Sequence, residues 1–290
     1  MPHHHLSHTW AVPVLVAVLT YAVLASRETW SRWRTASFVT GGALVTVALT
    51  DPVATLATTD FRGHMLQHLL LGMLAPLALV MGAPVTLLLR ALPAAHARRV
   101  GRTLRSPAVH AVANPWTALL LSVGGMAALY CTPLYTLVPA PVAHAHFLLA
   151  GCLFAWVVAG PDPAPRRPPV PVRLGVLGAA IAVHAGLSQV MYAGWLDLPV
   201  PGDQLRGAAE IMYYGGDVSE LLLALAVAVT WRSRRVPETV LPGLTVRVPG
   251  EPEPVRRPRV PDRVRPVAAL VPLTPYEYGD ELDEPDPADL

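Results

Sequence analysis

Lysine is absent from this chain, and all 22 basic residues are arginine. Without a lysine amine there is no Schiff-base chemistry and no lysine nucleophile. A seven-helix retinal protein is thereby excluded. Charge is scarce in general, at 14% of residues where a soluble domain carries ~25%, while 53% of the chain is hydrophobic. So little charge cannot clothe a soluble surface. Cysteine is nearly missing too: Cys131 and Cys152 make neither a disulfide framework nor a CxxC metal or redox motif. At ~1.5 Å rise per residue they fall at different depths of a helical bundle, so no bridge between them is expected.

What the chain has in plenty is apolar sequence. Stretches run from Trp10 to Ala25, Trp33 to Thr50, His64 to Leu89, Val112 to Thr132, Val142 to Gly160, Val172 to Leu196 and Ile211 to Trp231. Most approach the ~20 residues that a bilayer core demands, the first two being the shortest. The first has the wrong charge order for a cleavable signal, since no basic residue precedes it and Arg27, Arg32 and Arg34 follow. The fold expected is therefore an all-α, polytopic bundle of seven transmembrane helices.

Arginine counting orients it. The loops after the first, third, fifth and seventh stretches hold fourteen arginines, among them Arg90, Arg98, Arg99, Arg102 and Arg105, and the alternate loops hold two, Arg62 and Arg206. This predicts the N-terminus outside the cell membrane and the C-terminus in the cytoplasm. Net charge divides the chain the same way: residues 1–236 carry 16 Arg against 9 acids, and residues 237–290 carry 6 against 11 with twelve prolines. The first part is the expected membrane domain, and the second an acidic, proline-rich, disordered cytoplasmic tail.

Chemistry is to be sought where polar groups fall in apolar sequence. His64 and His68 stand one helical turn apart, with Met65 and Gln67 beside them, and that spacing can present two imidazoles to one metal. His184 lies near the middle of the sixth stretch, with Ser188 and Met191 continuing its stripe outward. In the seventh stretch Tyr213, Asp217 and Glu220 share a stripe, and an ionisable group there is a functional hypothesis by default. His144 and His146 open the fifth stretch, and at a spacing of two only one of them can face inward. Each group also has a plainer reading, as an interfacial histidine, a hydrogen bond between helices or a packing methionine. Against it stands convergence, since His64, His68, His184, Met191 and Asp217 all project to the outer half of the bundle.

These residues bear a likeness to a known family. The run His64-Met65-Leu66-Gln67-His68-Leu69-Leu70-Leu71, continuing through Gly82-Ala83-Pro84-Val85 to Arg90-Ala91-Leu92-Pro93, resembles the multi-span CtaG family of cytochrome c oxidase assembly factors. So do His144-Ala145-His146-Phe147, Asp162-Pro163, Arg167-Pro168, His184, Asp203-Gln204 and Gly216-Asp217. The likeness covers residues 60–95 and 140–235. In the family the Asp-Gln pair runs into glycines, whereas here Arg206, Ala208, Ala209 and Glu210 follow, in what is expected to be an outer loop. The resemblance implies help in maturing a haem-copper oxidase, with oxidase subunits and the bilayer as partners, no nucleic acid, and no enzymatic reaction.

Imidazole, thioether and carboxylate together suit copper, and the same histidines alone would equally suit zinc. The metal ligands expected are His64, His68 and His184, with Met191 or Met65 as a soft ligand, Asp217 as a ligand or its orienter, and His144 and His146 at the rim. Two other readings stay open. One is a membrane b-type cytochrome in which histidines such as His68 and His184 grip haem, and the other is a proton or ion pathway through Asp217 and His184.

Overall fold

A computed structural model describes residues 4–164 and 167–232. Outside them lie the tail expected at 237–290, His3, Arg166, Arg234 and Arg235. Every regular element among the described residues is helical. The chain begins with α1 (His4–Arg27), α2 (Arg32–Leu49), α3 (Val53–Thr59) and α4 (Phe61–Leu69), and a π turn (Leu70–Leu74) leads from α4 into α5 (Ala75–Met81) and α6 (Pro84–Ala91). Then come α7 (Ala94–Leu104), α8 (Pro107–Val112) and α9 (Pro115–Leu119), a second π turn (Leu120–Gly124), α10 (Gly125–Cys131) and α11 (Leu134–Leu137). The long helices α12 (Ala140–Val158), α13 (Val170–Tyr192) and α14 (Gly202–Arg232) complete the order.

Four segments are long and apolar enough to cross a membrane: Phe61–Ala91, Ala140–Val158, Val170–Tyr192 and Gly202–Trp231. The pair α2 and α3 makes a fifth if its 44° bend lies within one span. That is fewer than the seven expected from hydropathy. Val12–Arg27 and Pro115–Cys131 are apolar but shorter, and the second shows why. Asn114 accepts a hydrogen bond from the Trp116 amide at 2.9 Å, and Pro115 follows it at the first helical position. A side-chain cap with proline behind it restarts a helix, so the apolar run expected from Val112 is cut near its beginning. Leu15, Leu19, Leu120, Leu149, Leu221 and Leu225 are each more than half exposed. A surface of leucine on this scale is what lipid contact requires and water forbids.

Two ends differ from expectation. The sixth apolar run continues to Leu196, but α13 stops at Tyr192, because Gly194 adopts φ +72° and the Trp195 amide reaches back to the Val190 carbonyl at 3.2 Å. This is a left-handed cap, which glycine takes without a Cβ clash. The seventh helix begins at Gly202, well before Ile211, so Asp203 and Gln204 lie in the first turn of α14 and not in a loop. Gln204 is used at once, its Oε1 accepting from the Phe61 amide at 3.0 Å. The neighbouring Asp60 caps α4 by accepting from the Arg62 amide at 2.8 Å, and its ion pair with the Arg62 side chain spans 2.9 Å. The hydrogen bonds from Arg62 hold the Asp60 carboxyl below the usual carboxylate range.

The helices are joined by side chains that satisfy one another's backbone. Gln67 donates to the Ala48 carbonyl at 2.7 Å, tying α4 to α2. Between α5 and α6 the chain breaks at Gly82 and Ala83, the latter at φ +54°, an uncommon conformation for a residue with a Cβ. Asp162, 2% exposed, crosses to this break and accepts from the Val85 amide at 3.0 Å, the Thr86 amide at 2.7 Å and the Thr86 hydroxyl at 2.6 Å. The carboxylate thus caps α6 from a distant part of the chain, where it also faces the positive end of the helix. Tyr21 donates to the Gly82 carbonyl at 2.7 Å, Trp30 donates to Tyr21 at 2.8 Å, and Arg167 donates to the Asp162 carbonyl at 2.7 Å. Gly82-Ala83-Pro84 and Asp162-Pro163, far apart in sequence, are the two halves of one latch.

Candidate functional site

His64 and His68 leave α4 one turn apart but reach different surroundings. The His64 ring stacks on Phe61 with centroids 5.4 Å apart, meets Tyr135 edge-on at 5.5 Å, and sets Nε2 3.1 Å from the Tyr130 hydroxyl. It belongs to an aromatic cluster and has a hydrogen-bond partner there. His68, 7% exposed, lies edge-on to Phe147 at 4.4 Å, and its Nδ1 is buried without a hydrogen-bond partner in the protein.

His184, on α13, is 4% exposed and approaches α14 closely. A Cβ at Gly216 would come within 2.1 Å of the imidazole Cε1, so glycine there makes room for the ring. Nδ1 of His184 stands 3.6 Å from Glu220 Oε1, and Nε2 is buried without a hydrogen-bond partner in the protein. Glu220 is itself 5% exposed.

His68, His184 and Glu220 line one largely enclosed cavity of about 60 Å³. Both π turns also contribute to its wall, through Gly72 and Met73 in one and Ser122 and Val123 in the other. A π turn adds a residue to the helical repeat and re-aims the side chains around it, and such turns concentrate at functional sites. His146 supports the second one, its Nε2 3.0 Å from the Leu121 carbonyl. Across the cavity Gly151 lets α12 approach the first, since a Cβ there would lie 2.2 Å from the Gly72 carbonyl oxygen.

Of the residues expected at a metal site, His68 and His184 therefore come together, and Glu220 joins them. His64, Met65, Met191, Asp217, His144 and His146 do not line the cavity. Met65 and Met191 are fully buried in the apolar core, while Met73 and Met126 are the thioethers at the cavity wall. Among the described residues no group of three or more His, Cys, Asp or Glu stands ready to hold a metal ion. Glu220 lies on the stripe expected to carry the site, whereas Asp217, the ligand expected from that stripe, is half-buried and away from the cavity. Asp217 and Glu220 lie three positions apart on one stripe, and only the packing of α14 against α13 decides which of them meets His184.

Buried imidazoles and a carboxylate around an enclosed cavity, carried by helices with leucine surfaces, define a membrane protein with an intramembrane polar site. The family is definite. The chain belongs to the cytochrome c oxidase caa3 assembly factors (Caa3_CtaG), whose family model matches residues 15–234. It is 37% identical over 170 residues to an uncharacterized protein of Mycobacterium leprae (strain TN), covering 54% of this chain and 26% of that one. A second uncharacterized protein, from Mycobacterium bovis, is 35% identical over 178 residues, 57% of this chain and 27% of the relative. The chain thus spans about a quarter of the length of the curated relatives it matches. No solved structure matches it.

Proposed function

We propose that this protein is a non-enzymatic assembly factor of a haem-copper cytochrome c oxidase that handles copper at the cavity between His68, His184 and Glu220. The observation that carries the reading is the pair of buried imidazole nitrogens, His68 Nδ1 and His184 Nε2, that no protein group satisfies. Leaving such atoms unpaired costs about 1–3 kcal/mol each, so a fold that keeps two of them at one cavity keeps them for a ligand. Copper is the substrate here. Imidazole nitrogens, the nearby thioethers of Met73 and Met126 and the Glu220 carboxylate form a donor set that suits it, the thioethers favouring Cu(I).

In this reading the residues of the chain bind and orient. His68 and His184 approach from different helices, Glu220 sets a carboxyl group beside the His184 ring, and the wall is otherwise largely apolar. His64, with its Tyr130 and Tyr135 partners, lies one turn along α4 and fits a place on the route to the cavity. Asp217 and the rim histidines His144 and His146 act with it or in support. The bundle takes seven spans, with Val12–Arg27, the α2–α3 pair and Pro115–Cys131 added to the four long ones, and the arginine bias puts the N-terminus outside. Oxidase subunits are the partners.

The test is oxidase activity and copper content of membranes from cells carrying His68→Ala, His184→Ala or both, at matched protein level. Loss of oxidase activity with the protein still inserted is the expected result. Normal oxidase and copper in the double variant would remove the cavity from the function. A Soret band in the purified wild-type protein would replace copper with haem.

A further inference from the structure

The helix α7 lies away from the cavity and has a different character. Its eleven residues contain Arg98, Arg99 and Arg102, Arg105 follows directly, and none of its residues is buried. At 100° per residue Arg98, Arg99 and Arg102 fall on one face, and Ala97, Val100, Gly101 and Leu104 on the opposite one. The exposure agrees with that division: the three arginines are exposed, and the four apolar-face residues are half-covered. Among the described residues it packs chiefly against its chain neighbours α6 and α8.

Its height is fixed by its attachments. Only Leu92 and Pro93 separate α7 from α6, the end of the apolar segment Phe61–Ala91. Beside that end the guanidinium groups of Arg90 and Arg34 lie 5.4 Å and 5.0 Å from the Trp30 ring centroid. On the other side α9 carries Trp116 in its first turn, and this residue is 60% exposed. Tryptophan and arginine at the ends of apolar helices mark the level of the lipid headgroups. A helix held there at both ends, with leucine and valine along one face and arginine along the other, lies in the plane of the interface.

We propose that α7 is an interfacial helix that binds anionic phospholipid headgroups through Arg98, Arg99, Arg102 and Arg105. Charge complementarity commits the occupant. From residue 61 to residue 161 the chain contains no aspartate or glutamate, so the face has no internal counter-charge in its own segment. A phosphodiester supplies that charge in the planar, two-oxygen form that a guanidinium pairs with. The half-covered apolar residues sink towards the acyl chains while the arginines reach up to the headgroups. This proposal is independent of the copper reading and of which side of the membrane α7 occupies.

The experiment uses the full chain with Val100→Cys in a Cys131→Ser, Cys152→Ser background, labelled with an environment-sensitive fluorophore and placed in nanodiscs. One set is pure phosphatidylcholine and the other contains phosphatidylglycerol. Emission should shift to the blue with phosphatidylglycerol, and the shift should shrink at high salt. Arg98→Gln, Arg99→Gln and Arg102→Gln together should abolish the shift, and the three matching lysine variants should keep most of it. At about fivefold per arginine, the glutamine variant should lose on the order of 100-fold in preference for phosphatidylglycerol among co-purified lipids. If the glutamine variant fails to fold, the lipid and salt dependence of the wild-type background decides. Identical emission in the two lipids, with the label in water in both, would overturn the proposal and leave the face to an acidic protein partner. An undiminished shift in the glutamine variant would also overturn it.

Discussion

Asp162 and the pair His68 with His184 are buried to nearly the same degree, at 2%, 7% and 4% exposure, yet the molecule treats them in opposite ways. Around Asp162 two amides and a hydroxyl converge on the carboxylate, and Arg167 takes the backbone carbonyl. At the cavity two imidazole nitrogens face no donor or acceptor of the protein at all. A satisfied buried charge makes the fold specific, whereas an unsatisfied polar atom is a cost that structure alone does not explain. The first is therefore read as architecture and the second as function, and the two readings predict different responses to mutation.

The largest effect is expected at the latch. Asp162→Ala strands the Val85 and Thr86 amides and removes the support of Ala83, so the loss should be about 3–5 kcal/mol, from two or more bonds to a charged acceptor at ~1.5–3 kcal/mol each. Thermal melting in detergent should fall sharply, and little folded protein should reach the membrane. A melt like that of the wild type would show that the latch does not hold the helices together.

At the cavity the expectation reverses. Replacing His68 and His184 by Phe and Leu removes unpaired polar atoms, so stability should stay within ~1 kcal/mol of the wild type or rise. Oxidase assembly should nevertheless fail. His64→Phe is the control within the same helix, because the stack on Phe61 and the edges of the two tyrosines remain, and it should impair assembly less than His68→Ala. A strong melting defect in the His68 and His184 variant would make the cavity architecture too.

A smaller effect belongs to the break itself. With φ at +54°, Ala83 pays the steric cost of a left-handed residue, and Ala83→Gly should stabilise by about 1 kcal/mol if the latch already orders the turn. A decrease would mean that the alanine methyl packs favourably enough to outweigh its strain.

The smallest effect is at Asp60, half-buried at the start of α4. Its folded-state carboxyl titrates below the usual range, so its contribution is present above the unfolded value and is lost as pH falls through the folded one. Acidification should loosen the start of α4, seen as faster amide exchange near Phe61 and Arg62, and Asp60→Asn should remove that pH dependence. An unchanged exchange profile in the variant would assign the titration to another group.

Much of this was legible in advance for a simple reason. Membrane helices announce themselves by length and apolarity, so the all-helical class followed from composition, and the histidine-bearing segments were found within a few residues of their ends. The losses occurred where a local interaction interrupts an apolar run or extends a polar one. Asn114 with Pro115 cut one stretch, Gly194 ended another early, and Gln204 proved to be helical. Hydropathy averages over such single residues and cannot see them.

The site divides along the same line. Composition settled the membrane class and periodicity placed His68, His184 and Glu220 on stripes of their helices, because both depend on the spacing of residues along one chain. Tertiary packing alone decided that His64 turns to Tyr130 while His68 faces the cavity, that Glu220 and not Asp217 meets His184, and that Asp162 finds the amides beyond Ala83. Those choices rest on helix rotation and on two π turns, each of which re-aims side chains by a fraction of a turn, and no pattern read along a single helix contains that rotation.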